Sequence, residues 1–309
     1  MPETLHEAPA PAPPRGTAGD HVGFRLVVFA TLLVVTLLAG YGLGWITGRP
    51  TAADPARSAP GMTAHEIPPH AHTAAPAAAA GAGGLAISAD GLTLVPESTT
   101  FPAQRFAFRI TAGGIPVTTY AVVHDKPLHL VVIRRDLSGF QHLHPTMAPD
   151  GTWSTDLTLP AAGSYRAIAD FTAILGGRPV ATTLGADLTV TGSYVPVVLP
   201  TPARRATTDG FSVSYDGTPR TGSTQPIVVN VTGAGGRPAV LQPYLGAFGH
   251  LVVLRQGDLG YVHVHPEPQL ADGGVRFWLA APSAGSYRMF FDFRVGGRVH
   301  TAAWTVTVN

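Results

Sequence analysis

The chain of 309 residues carries 20 Lys and Arg against 19 Asp and Glu, a formal net charge of +1, so no basic surface argues for a nucleic-acid partner. Hydrophobic residues make up 45% and charged residues 13%, enough to build about two cores, while 36 Gly and 29 Pro favour turns over long helices. The absence of Cys removes disulfides, thiol catalysis, iron–sulfur ligation, thiolate-bound zinc and blue-copper electron transfer together. Any metal must be held by His, carboxylate or Met.

Residues 1–25 read as a short, disordered cytoplasmic tail. From Leu26 to Ile46, 21 residues carry no formal charge, and as a helix they would span about 31 Å, one bilayer core. The apolar run is longer than that of a secretory signal and TGRPTAADP after it offers no convincing cleavage site, so the segment reads as an uncleaved single-pass anchor with Tyr41 and Trp45 near the far interface. Arg15 and Arg25 before it balance Arg49 and Arg57 after it. The expected orientation, cytoplasmic amino terminus and C-terminal domains outside the cell membrane, therefore comes from the layout of a short tail before one anchor.

Residues 47–84 are Ala, Pro, Gly and Thr with few large apolar side chains. Such a segment cannot bury enough surface to offset the entropy of ordering, and it reads as a flexible linker. Met62, His65, His70 and His72 lie close together in it, where they read as incidental polar residues of a tether.

Beyond Gly84 the pattern turns to strands. RFAFRIT alternates Phe106, Phe108 and Ile110, and WSTDLTL, SYRAIADF and ADLTVT follow with Gly, Pro and Asp between them. The second half repeats the pattern, and AGSYRAIADF at 162–171 recurs as AGSYRMFFDF at 284–293. The expected fold is all-β: two tandem Ig-like sandwiches, 85–192 and 193–309, joined through a proline-bearing segment around Ser193 to Arg205. Tyr165 and Tyr287, each after Ala-Gly-Ser, are expected as corner tyrosines that hydrogen-bond across a turn.

Each half also carries H-x12-H-x-H-P: His129, His142 and His144 in the first copy, His250, His263 and His265 in the second. Residues two apart on a strand share a face, so the paired histidines point the same way. With Gly257-Asp258 as a two-residue hairpin loop, Leu254 falls opposite Tyr261, Val252 opposite His263 and His250 opposite His265. The same pairing sets His129 opposite His144, although Asp136-Leu137 suits a two-residue turn less well. Three imidazoles at one end of one face form a facial three-His set with an open position, suited to Cu(II), Zn(II) or Ni(II).

A lone His more often hydrogen-bonds within a sandwich than ligates a metal; the same three positions in both copies shift the balance toward metal. Asp170 and Asp292 occupy matched positions and are candidates to orient an imidazole through its second N–H, though a carboxylate near a strand end more often bonds a backbone turn. Met147 offers a soft axial ligand, but the second copy has Glu267 nearby and no Met. His124 and His300 lack counterparts and read as surface or turn residues.

HLVVIRRDLSGFQHLHP with AGSYRAIADF, and YLGAFGHLVVLRQGDLGYVHVHP with AGSYRMFFDF, resemble a group of bacterial, notably actinobacterial, membrane-anchored or secreted proteins with tandem cupredoxin-like or YtkA-like β-sandwich domains. The resemblance covers about residues 85–309. It implies an extracytoplasmic role in handling copper, with zinc as the alternative metal, and brings no established catalytic activity. The expected function is a copper buffer, chaperone or sensor rather than an enzyme. Its partners would be the membrane, a metal ion and an unidentified membrane protein. The competing readings are a structural or protein-interaction module of two Ig-like sandwiches and a copper-dependent enzyme. A cupin is rejected, because Glu267 follows His265 by only two residues and the first copy has no Glu there.

Overall fold

The computed structural model describes residues 82–101, 104–262 and 264–309, with His265 described by its backbone alone. The tail, the anchor at 26–46 and the linker residues Met62, His65, His70 and His72 lie outside the described residues. Among the described residues no helix is long and apolar enough to cross a membrane.

The first domain runs β1 (Ser88–Ala89), β2 (Leu92–Pro96), β3 (Thr100–Phe101), β4 (Arg105–Ala112), β5 (Ile115–Pro116), β6 (Leu128–Arg134), β7 (Gln141–Leu143), β8 (Thr146–Met147), β9 (Thr152–Asp156), β10 (Gly163–Leu175) and β11 (Arg178–Val190). One sheet is ordered β1-β2-β4-β9-β8 with β5 on β4, and the other β3-β11-β10-β6-β7. The second domain runs β12 (Arg205–Thr208), β13 (Phe211–Asp216), β14 (Gln225–Thr232), β15 (His250–Arg255), β16 (Tyr261–Val262), β17 (His265–Ala271), β18 (Gly274–Leu279), β19 (Gly285–Val295) and β20 (Arg298–Val308). Its sheets are ordered β12-β13-β14-β18-β17 and β16-β15-β19-β20. The chain is thus two repeated β-sandwich units.

Alternation explains each sandwich core. Phe106, Phe108 and Ile110 of β4 share one core with Leu128, Leu130 and Val132 of β6 and with Trp153 of β9, the strand beside β4. Ile227, Val229 and Val231 of β14 do the same with Met289, Phe291 and Trp304. The corner tyrosines are present: Tyr165 donates to the Ala161 carbonyl at 2.8 Å and Tyr287 to the Ser283 carbonyl at 2.8 Å.

Strands β6 and β15 do not alternate. LVVI of β6 and LVVL of β15 are buried on both faces. The second faces, Val131 and Ile133 with Ile168 of β10, and Val252 and Leu254 with Phe290 of β19, form a third apolar cluster between the two domains. Phe140 stacks on Phe290 across it, with ring centroids 4.0 Å apart and planes 3° from parallel. A sheet face that is normally solvated in an isolated sandwich is covered here by the other copy.

The start of the described chain enters the same junction. Gly83 exchanges backbone hydrogen bonds with Tyr261 of β16, and the Gly84 N–H donates to the Thr183 carbonyl of β11. Gly185 permits this approach, since a Cβ there would sit 2.0 Å from the Gly84 carbonyl oxygen. These two glycines, read from composition as linker, are part of the folded unit.

Candidate metal centre

The hairpin β6–β7 places the first histidine set. Leu130 pairs with Leu143, Val131 with His142 and Val132 with Gln141, the register that sets His129 level with His144. One nitrogen from each of His129, His142 and His144 lies within 4.8 Å of the other two.

Hydrogen bonds fix the direction of two of these rings. A turn closed by reciprocal backbone bonds between Val123 and Lys126, with His124 and Asp125 at positive φ, presents the Val123 carbonyl to His129 Nε2 at 3.1 Å. His142 Nδ1 lies 2.8 Å from Asp292 Oδ2, a carboxylate of the second domain. A carbonyl and a carboxylate only accept, so His129 carries its proton on Nε2 and His142 on Nδ1. Their remaining nitrogens, His129 Nδ1 and His142 Nε2, face each other at 3.2 Å. Two lone pairs in that position repel unless a cation, a proton or a metal ion, lies between them. His144 Nε2 is buried with no hydrogen-bond partner among the described residues and adds a third ligand nitrogen.

Burial keeps His129 and His144 neutral. Desolvation, with the neighbouring His142, pulls His144 down to about 3, and desolvation pulls His129 down to about 4. Metal-ligand nitrogens must be unprotonated, and a neutral ring offers one such nitrogen. Tetrahedral ligation at about 2.0–2.1 Å needs nitrogens roughly 3.3 Å apart, which the His129–His142 pair already meets.

His250 of β15 does not stand at a separate centre. It is buried, with its ring 6.2 Å from His142 and 6.3 Å from His129, and its Nε2 bonds the Tyr244 carbonyl at 3.0 Å. The turn Tyr244–Ala247 repeats the turn Val123–Lys126, so each copy holds this His through a carbonyl six residues upstream. Desolvation lowers His250 to about 4.

Expected and observed register part company after Val262. Leu254 does pair with Tyr261, but the loop spans four residues between Arg255 and Gly260, not two. The chain then crosses to the opposite sheet, where His265 pairs with Trp278 of β18, so it is not opposite His250. His263 lies outside the described residues. Val264, between them, lines a cavity of about 240 Å³ at the domain junction together with His124, Lys126, His129, His142 and His250.

A family model described as a domain of unknown function, DUF8832, matches residues 88–187 and again 206–309. The chain belongs to this family. Its two DUF8832 copies meet at the junction that carries the histidines. Among curated proteins nothing matches the chain. Matches among solved structures include a protein from Corynebacterium diphtheriae described as membrane anchored, 10% identical, with a TM-score of 0.22; 71% of this chain and 59% of that one are covered. MtrC from Shewanella baltica is 9% identical, with a TM-score of 0.22, covering 71% and 68%. The chain thus spans about three fifths of the first protein, and likeness at this level carries no argument about what the DUF8832 copies do.

Other residues singled out in the sequence find distinct places. Asp292 accepts from Thr301 Oγ1 at 2.6 Å besides meeting His142, and Asp170 accepts from Thr183 Oγ1 at 2.8 Å. His124 is a turn residue, yet its ring lies 5.3 Å from that of His250. His300 is not at the surface: it is 6% exposed, stacked on Phe293 and bonded to Asp209. Met147 is partly buried against the first core, where its thioether packs with apolar residues. The cross-domain role of Asp292 was the feature that spacing within one copy could not show.

Proposed function

We propose that this chain is a membrane-anchored, extracytoplasmic metal-handling protein that binds an ion through His129, His142 and His144, as a buffer, chaperone or sensor and not as an enzyme. The observation that carries the reading is the convergence of three imidazole nitrogens, two of them facing at 3.2 Å and the third buried without a partner among the described residues. An all-imidazole set with an open position suits copper or zinc, and copper is favoured for a site outside the cytoplasm that lacks thiolates. The uncharged run Leu26–Ile46 supports the anchor. A second equivalent of metal at His250, His263 and His265 is proposed from the sequence repeat alone.

The test is a titration of the full chain, purified without a His-tag in mild detergent and stripped of metal, with Cu(II) and Zn(II). One equivalent held tightly and lost in His144→Ala supports the first site; a second, lost in His263→Ala, adds the other. Binding no tighter than that of a surface histidine, unchanged by His144→Ala, overturns the reading.

A further inference from the structure

We propose that Asp292 of the second domain is the positioning carboxylate of the first domain's metal centre, so that ion binding and docking of the two sandwiches strengthen each other. The inference rests on the metal reading above and adds a residue from outside the three-His set.

The geometry is specific. His142 and Asp292 are separated by 150 residues and belong to different DUF8832 copies, yet Nδ1 and Oδ2 lie 2.8 Å apart with both side chains only 6% exposed. Thr301 Oγ1, on the strand next to Asp292, donates to Oδ1 at 2.6 Å and holds the carboxylate so that Oδ2 is turned toward His142. Asp170 stands opposite His129 in the β6–β10 register, as Asp292 stands opposite His250 in the β15–β19 register, and Asp170 is held by Thr183. His142 is thus oriented by the other copy's Asp.

Chemistry gives that contact a consequence. A neutral imidazole has one N–H; bonded to a carboxylate it lies on Nδ1, which leaves the Nε2 lone pair directed at His129. Without Asp292, either nitrogen of His142 can carry the proton, and half of the choices put a proton into the ligand cluster. Docking therefore prepares the centre. By thermodynamic reciprocity, an ion that prefers the prepared ring favours docking by the same factor.

The experiment compares the full chain with His144→Ala, Asp292→Asn and Thr301→Val, using Zn(II) and Cu(II) in competition with a chelator. Asp292→Asn keeps the size of the side chain and removes the charge. Its expected effect is an affinity loss on the order of 10- to 100-fold, the usual cost of losing such a partner. Thr301→Val, which leaves the carboxylate in place but unpinned, is expected to shift affinity the same way by a smaller factor. Amide hydrogen exchange provides a readout that a purely structural contact would not move: Zn(II) should slow exchange in β19 of the native chain, although no residue of the triad lies there, and should not do so in Asp292→Asn.

Native binding that is lost in His144→Ala but unchanged in both Asp292→Asn and Thr301→Val would leave the metal centre standing and overturn this inference. Should Asp292→Asn fail to fold, unchanged affinity in Thr301→Val with no metal effect on β19 would overturn it equally. A native chain that binds no metal overturns the metal reading itself.

Discussion

At residue scale one carboxylate joins the two copies. Asp170 and Asp292 stand in matched register positions, each bonded to a Thr on the adjacent strand, and Asp292 meets His142 of the other domain. The pattern DF is visible twice in the sequence, but which histidine each Asp meets depends on how the copies face one another. The neutral cluster makes a pH prediction. His129 and His250 are lowered to about 4 and His144 to about 3, first of all by desolvation, from an ordinary value of 6.5. A group protonated more readily in the unfolded chain than in the folded one adds stability above its unfolded pKa and loses it as pH falls. Stability of the metal-free protein should therefore drop progressively between about pH 6.5 and pH 4, as read from denaturant midpoints. A midpoint that stays flat across this window would contradict a buried, uncharged cluster. The corner tyrosines offer a second residue-level check: Tyr165→Phe leaves the Ala161 carbonyl without its donor and should cost about 1 kcal/mol in a urea titration.

At the scale of elements, β6 and β15 hold the information that alternation elsewhere hides. Strands such as β4 bury every second side chain, as an open sheet face predicts, whereas LVVI and LVVL are apolar at consecutive positions. An uninterrupted apolar run of that kind means both faces are covered. The sequence thus contained a sign that these sheets dock on something, though not on what. Phe290, 4% exposed and stacked on Phe140, is the largest side chain that β19 gives to this contact. Phe290→Ala should destabilise the folded unit by about 3 kcal/mol, and by the linkage proposed above it should also weaken metal binding. Loss of stability in thermal melts with unchanged metal affinity would separate packing from the centre. The hairpins following these strands were read with the right register near the tip, since Leu254 meets Tyr261 and His142 meets Val131. What failed was extrapolation past Val262, where the chain leaves the sheet and His265 joins β18.

For the whole molecule, the repeat gives two cores but a shared junction. The cluster of Val131, Ile133, Ile168, Val252, Leu254 and Phe290 is as dry as either sandwich interior, so the two copies are expected to unfold in one cooperative transition. A calorimetric scan of the native chain should show a single peak that moves upward with Zn(II) or Cu(II). At a free ion concentration of 100 times Kd, the gain by mass action is about 2.7 kcal/mol. Two separate transitions, only one of them responding to metal, would place the ion wholly within one domain.

The sequence by itself determined the class of fold, the repeat, the inward-facing residues of each core, the corner tyrosines and the three-His spacing, because all of these follow from strand periodicity and from turns a few residues long. Only the tertiary structure decided that His250 belongs beside the first cluster, that His300 is buried, and that Asp292 reaches His142. Those contacts join positions more than a hundred residues apart, or depend on one sheet packing against another. Periodicity specifies which face of a strand is apolar; the partner that covers it is chosen by the free energy of burying that face in the folded whole.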